Sequence, residues 1–254
     1  MPVGGGSGVV SSLPLWAPDA ALAGVEIRVS TREGGVSQFP YDSLNLADHV
    51  GDQAESVAEN RRRLAEALPG GGVCWLNQIH GVETVEGKVG LVPEADAHWT
   101  AVRNRPLAVL TADCLPVVLM TIDGSCVGIA HAGWRGLAAG VLESLLTAMP
   151  AEPASMTAWL GPAISAAAYE VGPEVKTTFE QTCGEESSDC FSASHRQGRW
   201  MADLWALARL RLGRAGVSTI TGGGRCTYSE SADFFSHRRE GPATGRMATL
   251  VWLS

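Results

Sequence analysis

Two apolar runs constrain this chain more than any other feature. Leu115–Thr121 and Cys126–Ala130 carry almost no polar residues, and Asp123-Gly124 lies between them. Asp-Gly is a strong two-residue hairpin signal, because the favoured turn needs positive φ at its central positions. Strands apolar on both faces belong in a sheet that is covered on both sides. With Ile122 opposite Ser125, Leu115 faces Ala132 and Cys114 faces Gly133. Side chains alternate along a strand, so Cys114 and His131 leave the same face as diagonal neighbours. Their Cβ atoms then sit roughly 7–8 Å apart, a gap that a thiolate and an imidazole can bridge through one ion.

The remaining sequence supplies the layers for such a hairpin. The chain has 254 residues, 45% of them apolar and 18% charged, which is a globular composition. A net charge of −8 argues against a nucleic-acid binder. No run approaches the roughly 18 apolar residues of a membrane span. The opening MPVGGGSGVVSS lacks the basic and apolar regions of a secretory signal, so residues 1–24 are expected to be a flexible lead-in and residues 25–254 one domain. Six cysteines without a CxxC pair do not form a disulfide framework in a chain this long, which points to a reducing, cytoplasmic compartment.

Periodicity predicts strands at Val25–Ser30, Val73–Asn77, Val82–Glu86, Leu107–Thr111, Met156–Leu160, Val217–Thr221 and Met247–Leu253. Helices are expected at Glu55–Leu68, Gly136–Met149, from about Pro173, and at Met201–Arg214. Gly184–Gln197 reads as a polar surface loop, and Ala95-Asp96-Ala97 as a short acidic element in a loop. No internal repeat or linker divides the chain, so the expected fold is a single compact α/β (α+β) domain with layered sheets flanked by helices.

Several positions are candidates for chemistry. His80 stands beside Gly81 at a predicted strand end, where a side chain reaches into a cleft; the competing role is a structural hydrogen bond. Together His80, Cys114 and His131 make a set of two imidazoles and one thiolate, which suits zinc, with copper as an alternative. Three protein ligands leave one position open, the mark of a catalytic zinc whose bound water has a pKa of about 7. Any of His49, His98, His195 and His237 as a fourth ligand would instead close the site and make it structural. A rival use of the same atoms is a Cys114 nucleophile activated by His131. Asp113 alternates to the opposite face from Cys114, which weakens it as the third member of a triad. Arg32, with the paired glycines after it, and the turn at Gly133–Gly136 are candidate anion cradles, each against the alternative of an ordinary connection.

Longer motifs then bring a family into view. Asn77-Gln78-Ile79-His80-Gly81-Val82, Thr111-Ala112-Asp113-Cys114-Leu115-Pro116 and Ala130-His131-Ala132-Gly133-Trp134-Arg135-Gly136 resemble the YfiH/DUF152 family. So do Gly34-Gly35-Val36-Ser37, Ser43-Leu44-Asn45-Leu46, Leu160-Gly161-Pro162-Ala163-Ile164, Tyr169-Glu170-Val171-Gly172, Phe234-Phe235-Ser236 and Thr244-Gly245-Arg246. The resemblance runs from about Val25 to Leu253. Members of that family are called multicopper polyphenol oxidases ("laccase domain") or purine nucleoside phosphorylases. It implies a fold similar to a group once labelled putative cysteine hydrolases, and a metal triad at His80, Cys114 and His131. It further implies phosphorolysis of adenosine, inosine and methylthioadenosine, with adenosine deamination. Copper-dependent phenol oxidation and the hydrolysis of a wrong amino acid from a UDP-muramoyl precursor are also ascribed to members. The chain departs from the pattern at Ala167-Ala168, where many members carry cysteines, and at His237, where an aromatic residue is expected.

Physical chemistry ranks these activities. Six scattered histidines offer one three-ligand site but no separate copper centres for four-electron oxygen reduction. Copper binding to the single site remains an adventitious route to phenol oxidation. Deamination needs an activated water, and phosphorolysis needs an anion cradle. Arg32, the Gly133–Gly136 turn with Arg135, and Arg238 or Arg239 are candidates for the cradle, while Asn45 and Gln78 are candidates for holding base or sugar. The partners expected are small molecules, a purine nucleoside and phosphate, with no nucleic acid or membrane, on a monomer or weak dimer. The non-enzymatic alternative is a structural metal protein or binding module.

Overall fold

The hairpin predicted from the Asp123-Gly124 turn forms with the expected register. In the computed structural model, which describes residues 13–19 and 22–254, Leu115 pairs with Ala132 and Pro116 with His131. The hairpin comprises β6 (Leu115–Thr121) and β7 (Val127–Ala132), and every residue of both strands is buried. It is the middle of a six-stranded sheet. That sheet also contains β3 (Thr84–Glu86), β4 (Ala97–Thr100), β8 (Met156–Leu160) and β12 (Thr219–Gly222), in the order β12-β8-β6-β7-β4-β3.

Alternation along these strands divides the core into layers. Leu115, Val117 and Leu119 face a helical layer, while Val118 and Met120 face a second sheet. The second sheet has the order β1-β2-β13-β5, from β1 (Leu15–Trp16), β2 (Val25–Ser30), β13 (Met247–Leu253) and β5 (Leu107–Thr111). Its strands alternate in turn. Leu107 and Val109 point to the inter-sheet core, whereas Ala108 and Leu110 face outward to Leu44, Leu46 and Leu64, the last from α1 (Ala54–Glu66). The helical layer on the far side holds α2 (Trp134–Ala139), α3 (Val141–Ala148), α4 (Pro173–Cys183) and α5 (Leu204–Arg214). A small sheet of β9 (Glu170–Val171), β10 (Phe191–Ala193) and β11 (Trp200–Ala202) flanks them, and the short helix α6 (His237–Glu240) precedes β13. The result is the mixed α/β domain expected, and among the described residues no helix is long and apolar enough to cross a membrane. All six cysteines are free.

Several local expectations change: β4 begins at Ala97, where only an acidic loop is expected, and β3 and β12 start two residues later than predicted. Val73–Asn77 is not a strand: it makes single bridges at Cys74 and Asn77, so His80 lies in a loop between Asn77 and Thr84 rather than at a strand end. The helix expected over Gly136–Met149 is two helices, because Gly140 adopts φ 105° and closes α2. Met201 belongs to β11, and α5 starts where the Asp203 side chain accepts from Ala206 N–H. The polar stretch Gly184–Gln197 contains a 3₁₀ helix and β10, with Ser187, Cys190 and Phe191 buried. Part of the expected lead-in is ordered: Leu15 pairs with Ser30, and Trp16 packs on Trp159. The rest of that lead-in includes residues 1–12 and 20–21, which lie outside the described residues.

Candidate metal centre

Cys114 and His131 both project toward the inter-sheet side of the hairpin, at the end where the two sheets part. The third member arrives on the Gln78–Val82 loop. Ligating atoms of His80, Cys114 and His131 all lie within 4.8 Å of one another. The two imidazoles meet edge to face, with ring centroids 4.8 Å apart. Among the described residues this is the one group of three or more His, Cys, Asp or Glu side chains so placed.

What holds the trio is a residue the sequence left in a loop. Asp96 is fully buried at the start of β4. Its carboxylate accepts the backbone N–H of Ile79 at 3.2 Å, of His80 at 3.0 Å and of Gly81 at 2.6 Å. It also accepts Nδ1–H of His131 at 2.8 Å. One side chain thus shapes the loop that presents His80, which sits at φ 60°, and orients the ring of His131. With Nδ1 committed to Asp96, Nε2 of His131 is the nitrogen free to ligate.

The electrostatics follow from these contacts. Burial pushes the Cys114 thiol up, but His131 and His80 together outweigh it and hold the thiol below its ordinary value. Burial opposes charge on His131, yet Cys114 and Asp96 raise its pKa above the usual imidazole range. Burial likewise works against the Asp96 carboxylate, and the hydrogen bonds from His131, Gly81 and Ile79 bring it below its ordinary value. A thiolate beside two imidazoles is a soft-to-borderline donor set that suits zinc or copper. Space agrees with chemistry. A Cβ at Gly133 would stand 3.0 Å from Cys114 Sγ and 3.2 Å from His80 Cδ2, so a larger residue there would press on two of the three donors.

The trio opens onto a cavity of about 410 Å³, within the range of about 300–1,000 Å³ usual for small-molecule sites. Tyr169, Trp134 and Ile164 supply apolar and aromatic walls, and Arg135, Arg238 and Arg246 supply charge. Burial and the nearby Cys114 raise the Tyr169 phenol, which therefore stays protonated.

Not every predicted residue reaches this cavity. Arg135 and Arg238 line it. Gln78 also lines it, but both ends of its amide are engaged by the backbone of Leu110, at 2.8 and 2.7 Å. Asn45 is fully buried away from it and bonds Ala47, Asp52 and the N–H of Arg246. Arg32 is engaged elsewhere: it pairs with Glu240 at 2.8 Å and lies over Phe235, so the Thr31–Ser37 loop is no cradle for this site. The Gly133–Gly136 turn serves clearance, since a Cβ at Gly136 would meet Gly81 O at 2.7 Å. His49 and His237 line the cavity without joining the donor trio. His98 is buried in the inter-sheet core, and burial lowers its pKa to about 3. Asp113 does not contact His131; its carboxylate accepts the Thr227 hydroxyl at 2.6 Å and Arg238 N–H at 2.7 Å.

Relatives agree with this architecture. A family described as "Multi-copper polyphenol oxidoreductase laccase" matches residues 26–254. The crystal structure of Neisseria meningitidis protein NMB0706, a DUF152 member, superposes with a TM-score of 0.89 at 46% identity, covering 96% of this chain and 100% of that one. The chain belongs to the YfiH/DUF152 family. Within it, the chain is 49% identical over 236 residues to a Pseudomonas aeruginosa protein named purine nucleoside phosphorylase PA4543, covering 92% of this chain and 95% of that protein. It is 44% identical over 245 residues to purine nucleoside phosphorylase YfiH of Escherichia coli, covering 95% and 98% respectively.

The signals missed in the sequence are legible in retrospect. An acid between two alanines, directly before an alternating strand, marks a buried carboxylate in Asp96. Arg246 stood only as the end of a motif, although a lone arginine entering a fully apolar strand is an expensive placement that calls for a purpose.

Proposed function

We propose that this chain is a metal-dependent purine nucleoside enzyme. It cleaves adenosine, inosine and methylthioadenosine with phosphate, and it also deaminates adenosine. The observation that carries the reading is the convergence of His80, Cys114 and His131 in the wall of a cavity that also holds three arginines. The names of the relatives support the same class.

His80, Cys114 and His131 would hold zinc, with copper as the alternative occupant. The ion supplies Lewis acidity toward a ligand oxygen or nitrogen in the cavity. In phosphorolysis the C1′–N9 bond breaks, a phosphate oxygen bonds C1′, and the base leaves with the electron pair and a proton. Arg135 and Arg238 bind and orient the phosphate, Arg238 from a guanidinium held by Glu170 O at 2.8 Å. Asp113 sets the position of Arg238 by accepting its backbone N–H. The aromatic walls Tyr169 and Trp134 receive the base, and the protonated Tyr169 phenol can donate a hydrogen bond to it. Asp96 keeps His131 oriented throughout.

One observation favours a second reading. Cys114, His131 and Asp96 are also arranged as nucleophile, base and orienting carboxylate, the Asp96–His131 contact being 2.8 Å. That arrangement suits hydrolysis of an amide such as a UDP-muramoyl amino acid. The test is a product panel on zinc-loaded protein. Adenosine should yield adenine only when phosphate is present, and inosine in its absence. Cleavage of UDP-muramoyl-serine with no turnover of any purine nucleoside would overturn the purine reading.

A further inference from the structure

The guanidinium groups in the cavity share an unusual property. Elsewhere most arginines meet carboxylates: Arg32 and Arg239 pair with Glu240, Arg225 with Glu230 and Asp233, and Arg211 with Glu143. Among the described residues, Arg135, Arg238 and Arg246 each line the cavity without a carboxylate within 4.0 Å of the guanidinium. The cavity does contain Asp113, but its two oxygens are taken by Thr227 and by the backbone N–H of Arg238. A chain with a net charge of −8 has thus gathered three guanidinium groups without a carboxylate partner in one hollow.

Arg246 is the most deeply set of the three and the most firmly mounted. Burial lowers its pKa from the ordinary arginine value, against the pull of Cys114 and Asp113. Its N–H donates to the Asn45 side chain at 3.0 Å, and its carbonyl accepts Leu46 N–H at 3.3 Å. The buried Asn45–Leu46 segment therefore clamps the backbone of Arg246 from both sides. Nη1 of the guanidinium donates to the carbonyls of Thr244 and Gly245, at 2.8 and 3.0 Å. No acceptor within the described residues takes Nε or Nη2. A partly desolvated guanidinium with spare donors is costly unless an anion completes it.

We propose that Arg246 anchors an oxyanion subsite, with Arg135 and Arg238 on its rim, and that the ligand is inorganic phosphate. The choice of phosphate rests on the phosphorolysis reading; the oxyanion subsite itself rests on the three arginines. Asn45 is then a positioning residue acting through Arg246, which gives its side chain a role outside the cavity.

The experiment uses the zinc-loaded full chain and inorganic phosphate as probe, with chloride at matched ionic strength as control. Phosphate should raise the melting temperature of the wild type, and Arg246→Gln should abolish that shift at unchanged zinc content. Losing charge-assisted hydrogen bonds should raise the KM for phosphate by about tenfold or more, with the KM for adenosine nearly unchanged. Arg246→Lys keeps a point charge without the planar fork, so it should fall between the two. If Arg246→Gln does not fold, Arg246→Lys decides: an unchanged phosphate KM overturns the subsite. So does an Arg246→Gln protein that keeps the wild-type phosphate shift and KM. Stabilisation by a nucleoside 5′-monophosphate but not by inorganic phosphate would also overturn it, since the anion would then be borne by the substrate. An Arg246-dependent phosphate shift without any nucleoside cleavage would uphold the subsite and overturn the phosphorolysis reading alone.

Discussion

Asp96 supports the candidate metal centre without lining the cavity. Its Oδ1 takes the N–H of His80 and the ring of His131, and its Oδ2 takes the N–H groups of Ile79 and Gly81. Every contact is a donor, so both oxygens must accept. Asparagine has one oxygen and one NH₂, and either orientation would set the NH₂ against two N–H groups. Asp96→Asn should therefore weaken metal binding by about 10–100-fold, the usual cost of losing a group that orients a histidine ligand. A competition titration with a chromophoric chelator measures this, and undiminished affinity in the variant would remove Asp96 from the account. The trio itself was legible because hairpin register is arithmetic once the turn is recognised: Cys114 and His131 had to share a face. Asp96 was not, because its partners Ile79–Gly81 lie in a loop whose path no periodicity encodes.

At the scale of elements, long apolar runs were readable and short ones were not. β5, β6, β8 and β13 begin and end where the sequence predicts, since burial on both faces leaves no competing structure, and β2 does so through its strict alternation. Where turns or tertiary contacts decide, prediction slipped. Gly140 splits a helix whose apolar stripe is otherwise unbroken, and β10 and β11 are three-residue strands that exist only by pairing with each other and with β9. The segment carrying α6 is tied to the loop after β2 through Glu240, which bonds Arg32, Arg239 and Thr244. Burial opposes the Glu240 carboxylate, but its contacts with Thr244, Arg239 and Arg32 hold it below the ordinary carboxylate range. A carboxylate depressed in the folded state stabilises above its unfolded pKa of about 4.3, and that contribution is lost as pH falls through the lower folded value. Glu240→Gln should thus unfold at lower urea than wild type at pH 7, and the difference should shrink toward pH 3. A constant difference across that range would show that the ion pairs contribute nothing.

The whole molecule is a stack of layers, and the site lies at one end of its central hairpin. The β6–β7 hairpin is sealed between helices and a second sheet along its length, and only its Cys114–His131 end meets the cavity. Layering therefore came from composition and alternation, while the cavity wall came from loop and helix-start residues distant in sequence, among them Gln78, Arg135, Tyr169, Arg238 and Arg246. The same architecture distinguishes a catalytic metal from a structural one. His80, Cys114 and His131 stand outside the three apolar clusters of the core, so replacing one of them should abolish chemistry and spare the fold. The direct measurement is phosphate-dependent release of adenine from adenosine by wild type and Cys114→Ala, with metal content and melting temperature recorded on the same samples. Cys114→Ala should lose bound metal and several orders of magnitude of turnover, with the melting temperature nearly unchanged. A variant that keeps its turnover, or one whose melting transition collapses with the metal, would contradict a catalytic metal.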